Sequence, residues 1–504
     1  MAKKITLNVP LNRVEGDLDI NVTIEDGVIV EAKSIGTLYR GFENILQGRV
    51  ALDSLVVTPR ICGICSVTHL CAAVDALENA QNITPPAQAV RLRNLSLLSE
   101  TIQSDIRQFF LMFMGDFTNE FYQDAPFYQE ATHHYEPFKG ASSKEALKKT
   151  TEILKIVAII GGQWPHTSHI VPGGISTLPS LLELTVAQNH IEEIISWYEQ
   201  NVLGCSLEAF SKIESVESFM YHLEENAETD IARFTRYAEY AQLFKIGKTS
   251  QNFLSYGTVH NPLNPSERLI KAGVIIEGKF EELDVSKIYE DISHSWYKQV
   301  NVKQKPFDGV THPDMKSEDG YTWAKAPRYA KKVMQTGPLA QALVNGDKLL
   351  TSLNDKYGDC AYVRELARIL RPAIHLKYAR QDIQGAIESF GDMSYNQAVE
   401  EFSGEGVGLV EAARGALGHW VRVKHGKIEN YQIITPTAWN GSPQDLEGNR
   451  GAWENALIGL ECRDIKNPME MGHVVRSFDP CLVCTVHAID MQDSKQKYKF
   501  KIGL

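Results

Sequence analysis

The first regular pattern in the chain is an alternation of apolar and polar positions between Ile5 and Gly36. Leu18 to Ile24 alternates with period two, Asp26-Gly27 is a hairpin turn signal, and Val28 begins a return strand. The start of the chain therefore predicts a small antiparallel β region, which we bound at residues 1–60.

After Cys62 the apolar positions change to helical spacing, with Leu70, Ala73, Val74 and Leu77 on one face. Further helices are predicted where the same spacing returns, over 84–117, 143–160, 181–203, 347–353, 360–369 and 372–390. Between about 215 and 325 the pattern is mixed, with hairpin-like pieces. These elements predict a mainly α fold with a small N-terminal β region and a helical core over residues 61–487.

Glycine is dense between Gly404 and Trp420. This segment does not match a phosphate-binding loop, because no Lys-Ser/Thr follows at the required spacing. We expect these glycines to let the backbone approach a buried object closely.

Composition narrows the class of protein. The chain has 504 residues and a formal net charge of -12 at pH 7, which disfavours nucleic acid and anionic lipid as partners. No apolar run reaches the roughly 20 residues of a membrane span. The start of the chain lacks an apolar signal core, so we expect a cytoplasmic protein whose membrane association, if any, comes through partners.

The candidate chemistry lies in two Cys-x-x-Cys pairs near opposite ends of the chain, Cys62 with Cys65 and Cys481 with Cys484. Two thiolates at this spacing can bind one metal ion. On spacing alone the alternatives are a structural zinc site and a thioredoxin-like dithiol. Charged residues accompany the two pairs in sequence or in a glycine-rich context: Glu15, Arg60, Arg414, Asp479 and His487. A closed structural zinc site does not require such residues, so they disfavour both alternatives.

The two cysteine runs, Arg60 to His69 and Asp479 to His487, resemble the two signature motifs of nickel-iron hydrogenase large subunits. The motif sequences are most similar to those of the uptake and hydrogen-sensing branch. The resemblance continues through Arg13-Val14-Glu15-Gly16, Arg40-Gly41-Phe42-Glu43, Lys325 to Tyr329, Arg414 to Leu417 and Pro436 to Asn440. It covers nearly the whole chain and implies that the N- and C-terminal segments meet at a buried metal site.

The resemblance implies the following cofactor site. Nickel is held by Cys62, Cys65, Cys481 and Cys484, and the second cysteine of each pair also bridges to an iron that carries CO and two cyanide ligands. Arg414 is poised over the metals, and Thr437, with Pro436 beside it, hydrogen-bonds a cyanide ligand. A magnesium or iron ion near the C-terminus is bound by Glu43, His487 and the Ile433 carbonyl.

It also implies the activity, which is oxidation of molecular hydrogen to protons and electrons and is reversible in principle. Hydrogen is split into a hydride and a proton, with a thiolate or Arg414 as the candidate base. Asp116 and Asp479 are then interpreted as anchors of Arg414, and Glu15 passes protons outward. The alternative is a hydrogen-sensing regulatory subunit, and a metal-free structural descendant is disfavoured by the four cysteines.

Partners follow from the same resemblance. The chain has no further cysteine set for an iron-sulfur cluster, so a small subunit that carries such clusters is implied. Residues 488–504 resemble a maturation tail that a dedicated endopeptidase removes after His487, once nickel-insertion proteins have loaded the metal.

Overall fold

The computed structural model describes residues 4–14, 16, 18–396, 398, 399 and 401–481. Helices dominate the described chain, as predicted, and the strands form small antiparallel sheets. The helices are α1 Phe42–Leu46, α2 Ser54–Val57, α3 Ser66–Gln81, α4 Ala87–Arg107, α5 Tyr128–Tyr135, α6 Ala141–Gly161, α7 Leu181–Trp197, α8 Leu207–Phe210, α9 Val216–Glu225, α10 Asp230–Tyr240, α11 Pro338–Asn345, α12 Lys348–Tyr357, α13 Ala361–Glu388, α14 Pro436–Asn440, α15 Ala452–Leu457 and α16 Met469–Arg476.

The predicted N-terminal β region is a three-stranded sheet in which β1 pairs with β2 and β2 with β3. A second three-stranded sheet, β14-β15-β16, lies late in the chain. The strands are β1 Lys4–Leu11, β2 Leu18–Glu25, β3 Val28–Gly36, β4 Ile170–Val171, β5 Gly174–Ile175, β6 Phe253–Ser255, β7 Thr258–Asn261, β8 Asn264–Ile270, β9 Gly273–Ile276, β10 Lys279–Glu281, β11 Ile288–Asp291, β12 Lys303–Gln304, β13 Ala326–Tyr329, β14 Gly404–Ala412, β15 Gly415–Lys424 and β16 Lys427–Ile434.

The main apolar core is built around α4, which is buried at every position from Leu92 to Ile106. Apolar side chains of α6, α7 and α13 join it in one cluster, together with the inner face of the N-terminal sheet. Two long helices continue into π-helical turns, α4 through Gln108–Phe113 and α7 through Tyr198–Leu203. The predicted helices over 84–117 and 181–203 are therefore confirmed as helical stretches whose last turns are irregular.

The glycines of β14 explain how this strand reaches the core. A Cβ at Gly406 would lie 1.9 Å from the Ala76 carbonyl oxygen, and one at Gly408 would lie 1.9 Å from that of Ala72. The object that the glycine-rich segment approaches is thus the backbone of α3. This close packing fixes the start of α3 relative to the β14-β15 turn.

One boundary prediction was wrong. We predicted separate helices over 360–369 and 372–390, because a proline usually ends or kinks a helix. The structure has a single helix, α13, which runs through Pro372. Pro372 and the part of α13 before it are buried, so packing of this helix in the core offsets a proline cost of about 3 kcal/mol.

Among the described residues, no helix is long and apolar enough to cross a membrane. The proposed tail over 488–504 lies outside the described residues.

Candidate metal centre

Three of the four predicted cysteine ligands meet in the interior. Cys62 and Cys65 lie in the turn between the 3₁₀ turn Thr58–Arg60 and α3, and Cys481 follows α16. All three are buried and form one small cluster. The Cys62 and Cys481 sulfur atoms are 3.6 Å apart, close to the roughly 3.7 Å expected for two thiolates bound tetrahedrally at about 2.3 Å from one ion.

The predicted meeting of the N- and C-terminal regions is therefore observed. The remaining sequence-predicted site residues at the chain ends, Glu15, Cys484 and His487, lie outside the described residues.

The cysteine turn is fixed from behind by a residue that the sequence analysis missed. Glu100 on α4 accepts hydrogen bonds from the N–H groups of Val67 and Thr68 at 2.8 and 2.9 Å, at the N-terminus of α3. It also accepts from the Ser66 and Thr68 hydroxyls and from the Trp164 indole N–H, five donors in all. Burial raises the pKa of Glu100 to about 7, against these hydrogen bonds, which lower it.

Glu100 gave only a weak sequence signal, as an acid in an otherwise well-buried helical stretch. Its contacts satisfy N–H groups that have no partner within the helix. The result is a rigid start of α3 directly after Cys65.

The same turn is held on its other side by Arg40. Its guanidinium donates to the Arg60 carbonyl at 3.4 Å and to the Ile61 carbonyl. Arg40 belongs to the Arg40-Gly41-Phe42-Glu43 motif, so one side chain of that motif reaches the backbone directly before Cys62.

Thr437 contacts the C-terminal cysteine. The Cys481 N–H donates to the Thr437 hydroxyl oxygen at 3.1 Å, and both residues are buried. The Thr437 hydroxyl keeps its own proton for donation to another group. Pro436, the first residue of α14, sets the start of the short helix that carries this hydroxyl.

Arg414 stands in the two-residue turn between β14 and β15, and its side chain is buried. Its Nη2 lies 3.3 Å from Asp479 Oδ1, so the predicted contact of Asp479 with Arg414 is present. Burial opposes the charged guanidinium, but Asp479 and the sulfurs of Cys481, Cys62 and Cys65 outweigh it and raise the pKa of Arg414 further above its ordinary value.

Two donors of Arg414, Nε and Nη1, are buried and have no hydrogen-bond partner within the described part of the chain. A buried unsatisfied guanidinium N–H is costly, so it indicates a group that an additional acceptor would satisfy. Three sulfurs beside such a cation fit a soft metal ion that carries anionic ligands, and soft sulfur donors suit nickel.

Asp116 does not serve the predicted role. Its buried carboxylate accepts from Arg476 Nη1 at 2.9 Å and is also bound by Arg13. Within the described ranges no ion pair joins Asp116 to Arg414. We correct the prediction: the acid linked to the turn that carries Arg414 is Asp105, which lies three turns before Asp116. It pairs with Arg368 and Arg371 of α13, and Arg371 also donates to the Ala413 carbonyl.

Glu43 lies in the first turn of α1 and is bound from three directions. Its Oε1 accepts from the Ile433 N–H at 3.0 Å, and its Oε2 accepts from Thr311 and lies 3.3 Å from Lys325 Nζ. Glu43 and Ile433 line a cavity of about 40 Å³, which is room for one water or ion. A carboxylate oxygen has two lone-pair sites, so Glu43 can still bind a cation there.

The fold and the site together define a metalloenzyme subunit that holds a soft metal between its two ends. A family model described as nickel-dependent hydrogenase matches residues 40–121 and 113–487. The chain belongs to the nickel-dependent hydrogenase family.

Individual relatives match over nearly the whole chain. The large subunit of a periplasmic NiFeSe hydrogenase of Desulfomicrobium baculatum is 31% identical and is aligned over 98% of this chain and 96% of its own. The uptake hydrogenase large subunit of Bradyrhizobium diazoefficiens is 30% identical over 99% of this chain and 97% of its own. The solved Ni-Fe-Se hydrogenase of D. vulgaris Hildenborough in the reduced state has a TM-score of 0.83 at 28% identity and covers 97% of this chain and 100% of its own.

Proposed function

We propose that this chain is the catalytic large subunit of a nickel-iron hydrogenase, which oxidises molecular hydrogen to protons and electrons and can run in reverse. One observation carries the assignment: buried Cys62, Cys65 and Cys481 come together beside the guanidinium of Arg414, although they lie near opposite ends of the chain.

Cys62, Cys65, Cys481 and Cys484 would hold nickel, and Cys65 and Cys484 would also hold an iron that carries CO and two cyanide ligands. When bound, this group supplies the Lewis-acid and redox chemistry that splits hydrogen. The Thr437 hydroxyl keeps a proton to donate, and two Arg414 donors have no partner among the described residues. These groups are suited to hydrogen-bond anionic ligands such as cyanide.

The chain's own contribution to the reaction is to receive and move a proton. A thiolate sulfur takes the proton; Arg414 is already protonated, so it can take one only in exchange for a proton that it passes on. Asp479 fixes the guanidinium by its contact at 3.3 Å. A candidate base must lie within hydrogen-bond reach of the reacting atom, so geometry is decisive even for a group as basic as arginine. Glu15 is assigned the outward step on the resemblance of its motif.

A magnesium or iron ion is assigned to Glu43, the Ile433 carbonyl and His487. The cavity beside Glu43 supports this assignment, since Glu43 and Ile433 both line it and it is large enough for one ion. Lys325 neutralises part of the Glu43 charge, so the site depends on the Ile433 carbonyl and His487 as further ligands.

An iron-sulfur small subunit is the proposed electron acceptor, because Cys71, Cys205, Cys360 and Cys462 are scattered along the chain and are not a cluster motif. A maturation endopeptidase and nickel-insertion proteins are proposed to act on this chain before it is active. We propose a cytoplasmic location, although one relative is named as periplasmic.

Infrared spectroscopy of the chain purified with its small subunit tests the function. We expect absorption bands of metal-bound CO and cyanide, and hydrogen-dependent reduction of an artificial dye by the same sample. A nickel-loaded sample without those bands would remove the nickel-iron assignment. Bands without dye reduction would instead favour the hydrogen-sensing alternative.

A further inference from the structure

Two arginines of α13, Arg368 and Arg371, face the turn that carries Arg414. They are one turn apart on the helix and both are buried. Neither residue belongs to a motif that the resemblance assigns to the site. Their contacts involve both the backbone and the side-chain environment of Arg414.

Arg371 holds the backbone end. Its Nε and Nη2 bind the two oxygens of Asp105 at 2.8 and 2.6 Å, and Nη2 also donates to the Ala413 carbonyl at 2.5 Å. Ala413 directly precedes Arg414 in the two-residue turn. The pair with Asp105 fixes the plane of the guanidinium, and the guanidinium in turn fixes the peptide from which Arg414 projects.

Arg368 holds the side-chain end. Its Nη1 lies 3.3 Å from Asp479 Oδ2, while Asp479 Oδ1 is the atom that contacts Arg414 at 3.3 Å. One carboxylate therefore bridges two guanidinium groups. Arg368 Nη1 is also 3.6 Å from Asp105 Oδ1 and 3.4 Å from the Ala413 carbonyl, so it links the acid on α4 to the acid beside Cys481.

The charges of the three arginines and their acidic partners nearly balance, so the arrangement depends on each of these side chains. Three buried guanidinium groups share the carboxylates of Asp105 and Asp479, and Arg414 also lies beside the sulfurs of the cysteine cluster. Glu365 lies 3.7 Å from Arg368, and burial raises its pKa well above the ordinary value, so it contributes little negative charge. Removing one partner from such a set leaves a buried charge without compensation.

We propose that Arg368 and Arg371 are positioning residues for Arg414, and set where its guanidinium stands relative to the metal centre. The inference rests on the proposed role of Arg414 in proton transfer. Lysine cannot replace either residue, because a single ammonium lacks the planar fork that binds Asp105 and the Ala413 carbonyl together. A displacement of Arg414 by about 1 Å can cost up to about 100-fold in rate.

The test uses the complex with its small subunit and compares Arg371→Lys and Arg368→Lys with wild type. Exchange between D₂ and water reports proton handling at the centre, and nickel per chain reports assembly. We expect at least about a tenfold loss of exchange with nickel content close to wild type. Arg380→Lys is the matched control. Arg380 lies three turns after Arg368 on α13 and forms a bidentate pair with Glu192 of α7. The Arg380→Lys complex should exchange D₂ with water like wild type.

A double variant separates positioning from a general structural role. If Arg371 acts through Arg414, then Arg371→Lys combined with Arg414→Lys loses no more exchange than Arg414→Lys alone. Losses that multiply would overturn the inference, as would a loss of exchange that merely follows a loss of nickel. If Arg371→Lys protein does not accumulate, Arg368→Lys in the same cycle gives the same answer, because it leaves the pair of Arg371 with Asp105 intact.

Failure of the inference is distinguishable from failure of the proposed function. Wild-type complex that contains nickel but shows no exchange contradicts the function itself. Wild-type exchange that is retained in both lysine variants contradicts only the positioning role.

Discussion

The two sides of the proposed metal centre differ in how completely their polar groups are satisfied. On the thiol side, Glu100 takes five donors at the start of α3, and Arg40 binds the backbone before Cys62. On the guanidinium side, several buried polar atoms have no hydrogen-bond partner among the described residues. They are Nε and Nη1 of Arg414, Nε of Arg368, Nη1 of Arg371 and both carboxyl oxygens of Glu365.

This difference indicates a division of work. Satisfied buried groups make a rigid support, which a metal needs for a fixed ligand geometry. Unsatisfied buried groups cost stability and are retained where they serve a function. We interpret the thiol side as the part that holds the metal, and the guanidinium side as the part that handles the proton.

The largest expected effect comes from breaking the thiol side at a proposed ligand. Cys62→Ala should lower nickel affinity by more than the roughly 10- to 100-fold that loss of an outer partner typically costs, because a ligand itself is removed. The purified variant should therefore contain little nickel. Metal analysis of the purified complex measures it. Cys71→Ala is the control: Cys71 is buried in the same helix region, so its loss should cost about 1 kcal/mol of stability and leave nickel in place. Equal nickel in both variants would contradict the ligand assignment.

A smaller effect is expected when the support behind the cysteines is weakened. Glu100→Gln presents an amide to N–H donors, so it should destabilise the protein by about 1–3 kcal/mol and lower nickel occupancy in part. Thermal unfolding and metal content are measured on the same sample.

The matched control is Glu454→Gln. Glu454 is equally buried and accepts from the Ser34 N–H and the Tyr321 hydroxyl. It should lose comparable stability with full nickel occupancy. If the Glu100 variant also keeps full occupancy, the support of α3 is unrelated to metal binding.

The smallest effect concerns pH. His169 is hydrogen-bonded to Ser96 and Thr167, and Ser96 lies one turn before Glu100 on α4. Burial, and then the charge of Arg93, lower the pKa of His169 to about 4. The folded state therefore binds the proton more weakly than the unfolded state, so the stabilisation is complete above the ordinary pKa of about 6.5 and is lost as the pH falls towards 4.

His169→Gln cannot titrate at this position. Between pH 7 and 5 it should lose about 2 kcal/mol less stability than wild type does. Unfolding midpoints at the two pH values give the comparison. Identical losses in both proteins would show that His169 does not remain neutral in the fold.

Much of the fold could be predicted because local patterns agree with it. The N-terminal hairpin follows from period-two alternation and Asp26-Gly27, and most helices follow from apolar spacing. The predicted helix end at Pro372 was wrong because burial of α13 in the core outweighs the local preference of proline to end a helix. A short window of sequence does not show that burial.

The site divides in the same way. Cys62, Cys65 and Cys481 carry a short-range signal, two cysteines at ligand spacing, and the structure brings them together. Asp116 and Asp105 lie on the same helical stretch, and spacing alone does not tell which acid faces α13. No sequence motif pointed to Glu100, Arg368 or Arg371. Their roles depend on contacts between α3, α4, α13 and the β14-β15 turn.

The most direct test of this division is D₂ exchange with water by the nickel-loaded Arg414→Lys complex, with metal content measured on the same sample. We expect wild-type nickel and exchange lowered by about 100-fold or more, because the thiol side still holds the metal while the proton-handling group is misplaced. Exchange at the wild-type rate, or loss of nickel in proportion to the loss of exchange, would contradict it.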